Sequence, residues 1–149
     1  MRSVVQRVDR AKIRVGEKCI SMIGKGILVF LGIQQGDEER DADYLSDKII
    51  HLRIFEDEKR KMNLSLLDIK GEMLVVSQFT LLGDCRKGRR PSFTEAENPD
   101  RALVLYDYFL SRSKEKVKCC AEGEFRAMMS VELVNNGPVT ILLDSRRSF

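Results

Sequence analysis

The stretch SQFTL, residues 77–81, ends the apolar run MLVV with Ser77, Gln78 and Thr80. Strands commonly deliver functional groups to a cleft at such ends, so these hydrogen-bonding side chains are candidates for holding a polar substrate. A second stretch, NNGPVT (135–140), lies between the apolar runs AMMSVELV and VTILLDS. Asn-Gly between strand-like runs ordinarily makes a tight hairpin, yet Pro138 follows at once, where a ladder N–H is wanted. Gly137-Pro138 is therefore a candidate cis peptide, the one bond type for which cis costs only about 0.5–1 kcal/mol.

The usual side-chain catalysts are missing. A serine-type triad needs a histidine base, and the one histidine, His51, falls in a predicted helix beside Asp47. At that i−4 spacing a local surface pair accounts for it. Cys19, Cys85, Cys119 and Cys120 form no C-x-x-C and no ligand spacing with His51, so no zinc site is expected and the thiols read as reduced. Phosphate-loop and dinucleotide glycine patterns are absent as well. No metal and no cofactor are expected, and the chemistry is left to the backbone.

The elements that must position these stretches follow from periodicity. SVVQRV, AKIRV and KCISMI read as short strands, with a turn at Gly16 between the last two. GILVFLGI (26–33) is apolar almost throughout, as in a strand covered on both faces. A helix is predicted from about Asp37, where Asp37, Glu38, Glu39 and Asp41 suit the helix dipole, with Ala42, Leu45, Ile49 and Leu52 as its buried stripe. A turn at Asp68–Gly71 precedes a strand from Met73 into Val76, and LGDCRKGRRPSF follows as a basic, glycine-containing loop. Asn98 and Pro99 mark the cap and first position of a second helix, whose inner face is Ala102, Leu105, Tyr106 and Phe109. VKCCAE, AMMSVELV and VTILLD read as three more strands. The order predicts one compact α/β domain of mostly β layers with two main helices packed on the sheet.

Composition agrees. The 149 residues are 43% hydrophobic and 33% charged, which fits one soluble globular domain rather than a disordered chain. The net charge of +3 permits contact with a polyanion without arguing for one. Arg2, Arg7, Asp9 and Arg10 leave no room for a signal-peptide apolar stretch, and no run approaches the roughly 20 apolar residues of a membrane span. A cytoplasmic protein without membrane contact is expected.

SQFTL and NNGPVT together resemble the motif pair of the D-aminoacyl-tRNA deacylases, also called D-tyrosyl-tRNA deacylases. The likeness runs along nearly the whole chain, through MRSVVQRV at the start, LRIFED (52–57), KGRRPSF (87–93) and GEFRAMM (123–129). The resemblance implies a homodimer that hydrolyses the ester joining a D-amino acid to the 3′ end of tRNA, with tRNA as partner and no DNA. It further implies that Gly137 and Pro138 reach in cis geometry into the partner's pocket, their carbonyls leaving no space for an L side chain. Enantiomers carry the same groups, so only a geometry that collides with one hand separates them. Glycine has no side chain to collide, so glycyl-tRNA is expected to be cleaved too.

On this reading Ser77, Gln78, Phe79 and Thr80 form the catalytic set, with backbone N–H groups near Phe79 and Thr80 holding the developing negative charge. Thr80 is either a nucleophile, for which the sequence supplies no obvious base, or a site residue beside a water assisted by the terminal ribose hydroxyl. Phe125 and Met129 correspond to positions near the pocket, where an aromatic face could stack on the terminal adenine; ordinary core is the other reading. Arg126 stands where the commoner GxFGAxM form has glycine. Arg86, Lys87, Arg89 and Arg90 read as a grip on the acceptor-stem backbone or as a solvated loop. Arg7 either anchors the Gly-Pro loop across the dimer or faces solvent on an edge strand. Two rivals remain open: a related deacylase of relaxed or opposite handedness, and a non-catalytic tRNA-binding dimer.

Overall fold

Ser3, Val5 and Arg7, then Ala11 and Ile13, turn inward at alternate positions, and all lie on one long strand, β1 (Arg2–Val15). The computed structural model describes residues 1–148. Along one side of β1 run β2 (Lys18–Ile23), on its second half, and β3 (Gly26–Gly32), on its first, both antiparallel. Two of the runs read from sequence as separate short strands are thus one strand. Exposed Asp9 and Arg10 interrupt its apolar pattern without ending it.

The sheet continues from β3 to β6 (Glu72–Ser77) and β7 (Cys120–Glu122), both parallel pairings, in the order β2-β1-β3-β6-β7. The last strand, β8 (Met129–Asp144), pairs antiparallel along the whole of β1. It merges the two final runs that sequence reading had separated. Gln6 pairs with Thr140 and Val8 with Asn135, so residues 136–139 stand opposite Arg7 alone. A bulge of this kind tolerates a proline that a regular ladder would reject, and the Gly137–Pro138 peptide is cis. A small ribbon, β4 (Phe55–Glu56) with β5 (Met62–Leu64), lies apart from the main sheet.

Two helices cover one face. Helix α1 (Glu39–Ile50) begins after a reciprocal capping box between Glu38 and Asp41, and buries Ala42, Leu45 and Ile49. Asp37, expected to open it, is instead fully buried against the Met1 ammonium at 2.7 Å, and Leu52 falls beyond the last turn. Helix α2 (Pro99–Lys114) starts as its sequence signals require, the Asn98 side chain accepting the Asp100 N–H at 3.0 Å. Ala102, Leu105, Tyr106 and Phe109 pack with α1 and the sheet into the larger core. Truncating the fully buried Phe109 to alanine would cost about 3–5 kcal/mol. A second cluster, with Val8, Ile13, Leu28, Leu74 and Val76, fills the opposite face as the sheet curls. The result is one compact α/β domain of two main helices and mostly strands.

Candidate active site

Val76 is the last buried residue of β6; Ser77 and Gln78 emerge beside Leu31 of the parallel neighbour β3. The Gln78 N–H donates to the Leu31 carbonyl at 2.7 Å, and the chain then tightens into a single 3₁₀ turn, Phe79–Leu82. Its first internal bonds run from the Leu81 N–H to the Gln78 carbonyl (3.2 Å) and from the Gly83 N–H to the Thr80 carbonyl (3.0 Å). The N–H groups of Phe79 and Thr80 precede those bonds and have no backbone acceptor among the described residues, as expected at the start of a helical turn. Gly32 makes the arrangement possible: a Cβ there would lie 2.9 Å from the Gln78 carbonyl oxygen.

A cleft of about 600 Å³ opens at this end of β3 and β6, the end where α/β sheets usually bind ligands. Ser77, Gln78 and Phe79 form one wall, Phe125 to Met129 the facing one, and Glu97, Pro99 and Ala102 a third. Thr80 sits exposed next to the cleft rather than in its lining. Its hydroxyl accepts a short hydrogen bond from the Gln78 side-chain amide. An amide N–H cannot take the hydroxyl proton, and no carboxylate or imidazole is hydrogen-bonded to Thr80 among the described residues. The one carboxylate lining the cleft among the described residues, Glu97, is occupied by the Asn98 N–H at 2.8 Å and by Arg101 at 3.6 Å.

Phe125 sits between the cleft and the core. It lines the cleft and also packs on the buried Tyr106 ring, centroids 5.7 Å apart. Met129 likewise lines the cleft while touching the second core cluster. Tyr106 donates its hydroxyl to the Val75 carbonyl at 3.0 Å, which also accepts the Gly123 N–H at 2.9 Å. Burial holds that phenol above its ordinary range. One carbonyl thus ties the strand leading into SQF to the segment leading into Phe125. Sequence reading placed Tyr106 on the inner helix face but missed this role, and missed Gly32.

Gly137 and Pro138 lie outside this chain's own cleft, exposed on the bulge of β8. The bulge is braced from beneath. Arg7, only 7% exposed, donates Nε–H to the Asn136 carbonyl at 3.0 Å and Nη1–H to the Ile54 carbonyl at 2.6 Å. Asn136 in turn donates to Asp9 at 2.7 Å, and the Asn135 side chain accepts the Val139 N–H at 2.9 Å. The solvent-facing reading of Arg7 is therefore overturned: β1 is an inner strand and the guanidinium is enclosed, holding the loop of its own chain.

The basic loop is exposed from Arg86 to Arg90 and is closed at its base by the Asp84–Ser92 backbone pair. Arg86 is held two-pronged by Asp84 at 2.9 and 2.8 Å, and this contact draws the Asp84 carboxyl down to about 2. Lys87, Arg89 and Arg90 make no ion pair among the described residues. Phe93, just past the loop, meets Phe79 edge-on with ring centroids 5.1 Å apart, so the basic loop abuts the cleft wall. His51 lies elsewhere, at the end of α1, its Nδ1 2.8 Å from the Asp47 carbonyl. The four cysteines are unpaired, with burial pushing the Cys120 thiol up to about 11. Among the described residues no group of three or more His, Cys, Asp or Glu could hold a metal ion, and no helix is long and apolar enough to cross a membrane.

A family model described as D-Tyr-tRNA(Tyr) deacylase matches residues 4–144. The chain belongs to this deacylase family. The deacylase is 62% identical to a D-aminoacyl-tRNA deacylase of Syntrophus aciditrophicus and 58% identical to that of Clostridioides difficile, over the full length of each pair. Among solved structures it resembles a c-Myc DNA unwinding element binding protein, with a TM-score of 0.92 at 41% identity over 97% of this chain and 98% of that one. A probable eukaryotic D-amino acid tRNA deacylase shares the fold, with a TM-score of 0.81 at 18% identity over 95% and 97% of the two chains. The deacylase is accordingly an ester hydrolase, as its SQFTL and NNGPVT motifs led us to expect.

Proposed function

We propose that two copies of this chain form a dimer that hydrolyses the ester between a D-amino acid and the 3′ end of tRNA in the cytoplasm, each copy placing Gly137-Pro138 in the other's cleft. The observation that carries this reading is the separation of parts within one chain. The cleft, with the free N–H groups of Phe79 in its wall and of Thr80 next to it, is in one place, and the braced, exposed main-chain bulge is in another.

In this mechanism the N–H groups of Phe79 and Thr80 receive the carbonyl oxygen as it gains negative charge. Water forms the new bond to the carbonyl carbon, helped by the neighbouring ribose hydroxyl rather than by a protein base. The bond to the ribose oxygen breaks, and that oxygen takes up a proton. Thr80 does not attack, because its one side-chain partner among the described residues is a donor. The Gly137-Pro138 main chain faces the α-carbon and collides with an L side chain. A D side chain and glycine both fit, so glycyl-tRNA is also cleaved. Lys87, Arg89 and Arg90 hold the RNA backbone beside the Phe79 wall, without reading bases.

Mixing two defective variants tests the shared site. Thr80→Pro removes one of the free N–H groups; Gly137→Ala puts a Cβ 2.7 Å from the Arg7 guanidinium at a φ of +124°. Each homodimer is expected to be nearly inactive. Mixed dimers regain activity, because one cleft and one bulge of the productive pair are both intact. No recovery in proven mixed dimers would rule out the cross-subunit arrangement.

A further inference from the structure

We propose that Arg126 is a phosphate-contacting residue of the cleft, binding the RNA backbone next to the scissile ester; this rests on the tRNA substrate argued above. Arg126 is exposed, lines the cleft, and makes no hydrogen bond or ion pair among the described residues. The surrounding lining is mostly apolar, and the other ionisable lining residue, Glu97, already has partners. An exposed guanidinium with no partner in its own chain is free to take a phosphate two-pronged. The anion nearest an aminoacyl ester on tRNA is the phosphodiester of the terminal nucleotide. The α-amino group next to the ester brings an ammonium, which Arg126 repels, so one charge orients both ends of the substrate.

The backbone supports a role for the side chain. Arg126 takes φ +63° at the third position of a turn closed by the Ala127 N–H to the Glu124 carbonyl at 3.2 Å. Positive φ at that position favours glycine. Arg60, Lys70 and Arg147 also have positive φ, but each closes a turn with its own N–H and none lines the cleft. A turn alone would be better served by glycine; arginine here adds a charge at the mouth of the site, and residues in disfavoured conformations cluster at such places.

The test compares wild type, Arg126→Gly and Arg126→Lys on D-tyrosyl-tRNA over a range of salt. Arg126→Gly is expected to keep or raise the melting temperature, keep kcat, and raise KM about five- to tenfold, with the slope of log KM against log salt reduced by roughly 0.7 to 0.9. Arg126→Lys keeps the slope. On 3′-D-tyrosyl-adenosine, which carries no phosphate, wild type and Arg126→Gly behave alike. An unchanged salt slope for Arg126→Gly, or an equal loss on the phosphate-free ester, overturns the proposal. If wild type cleaves neither substrate, the function proposed above fails on its own. Binding of uncharged tRNA by the same variants then decides Arg126, an unchanged slope counting against it.

Discussion

Arg7 and Asn136 lie on paired strands 129 positions apart, and the enclosed Arg7 guanidinium donates to the Asn136 carbonyl at 3.0 Å. Its other arm reaches the Ile54 carbonyl at 2.6 Å. A lysine ammonium in this space cannot reproduce the planar fork that serves both. Arg7→Lys is therefore expected to lose roughly 1–3 kcal/mol of stability from the unpaired carbonyl. Deacylation should fall further, about a hundredfold, because the bulge loses its brace. Thermal melts beside single-turnover rates check this; a loss of stability with full activity would separate Arg7 from the bulge.

Thr80 separates backbone from side chain. Its hydroxyl has a donor for a partner, so Thr80→Ala should lower the rate less than about tenfold and leave no trapped acyl-enzyme. Thr80→Pro deletes the N–H and should cost about 10²–10³ in kcat, the usual loss for one oxyanion donor. A collapse of activity in Thr80→Ala would restore the nucleophile.

Within the basic loop the four cations are unequal. Arg86 is already neutralised by Asp84 at 2.8 Å. Arg86→Ala should hardly change the salt dependence of tRNA binding, whereas Lys87→Ala, Arg89→Ala and Arg90→Ala should each reduce its slope by roughly 0.7–0.9. Titrations at several salt concentrations distinguish this from a uniformly solvated loop, for which no variant would alter the slope.

Alkaline pH offers a separate check on the packing of the larger core. Burial raises the Cys120 thiol from 9.0 to about 11. The unfolded chain therefore loses this proton first, and stability drawn from the neutral thiol is present below pH 9.0 and lost as pH rises to about 11. The loss is on the order of 2 kcal/mol, and Tyr106, raised by the same cause, extends it to higher pH. Urea midpoints measured across this window should fall, and fall less in Cys120→Ala.

Much of this was legible in the sequence where signals are local. Asn98 and Pro99 marked the start of α2, and the apolar run 26–33 marked β3. Ser77, Gln78 and Thr80 were visible as a polar end to a buried strand; Ser77 and Gln78 line the cleft together with Phe79, Phe125 and Met129, whereas Thr80 lies beside it. What escaped depends on contacts distant in the chain. Charges at Asp9 and Arg10 made β1 look broken, and Pro138 made β8 look like two strands, because a bulge is defined by the partner strand. Arg7 was left between an anchor of the Gly-Pro loop and a solvent-facing residue for the same reason: arginine is usually exposed, and its partners lie 47 and 129 residues away. Gly32 and Tyr106 act through the backbone of β6 and its following turn, which no spacing along the chain records.

The central claim is that a main-chain wall filters the handedness of the amino acid on tRNA. Hydrolysis of D-tyrosyl-tRNA, L-tyrosyl-tRNA and glycyl-tRNA by the pure protein under identical conditions tests it most directly. The D and glycyl esters should be cleaved and the L ester spared by at least about a hundredfold, the order of about 3 kcal/mol that a steric collision supplies. L-cleavage as fast as D-cleavage, or faster, would contradict it.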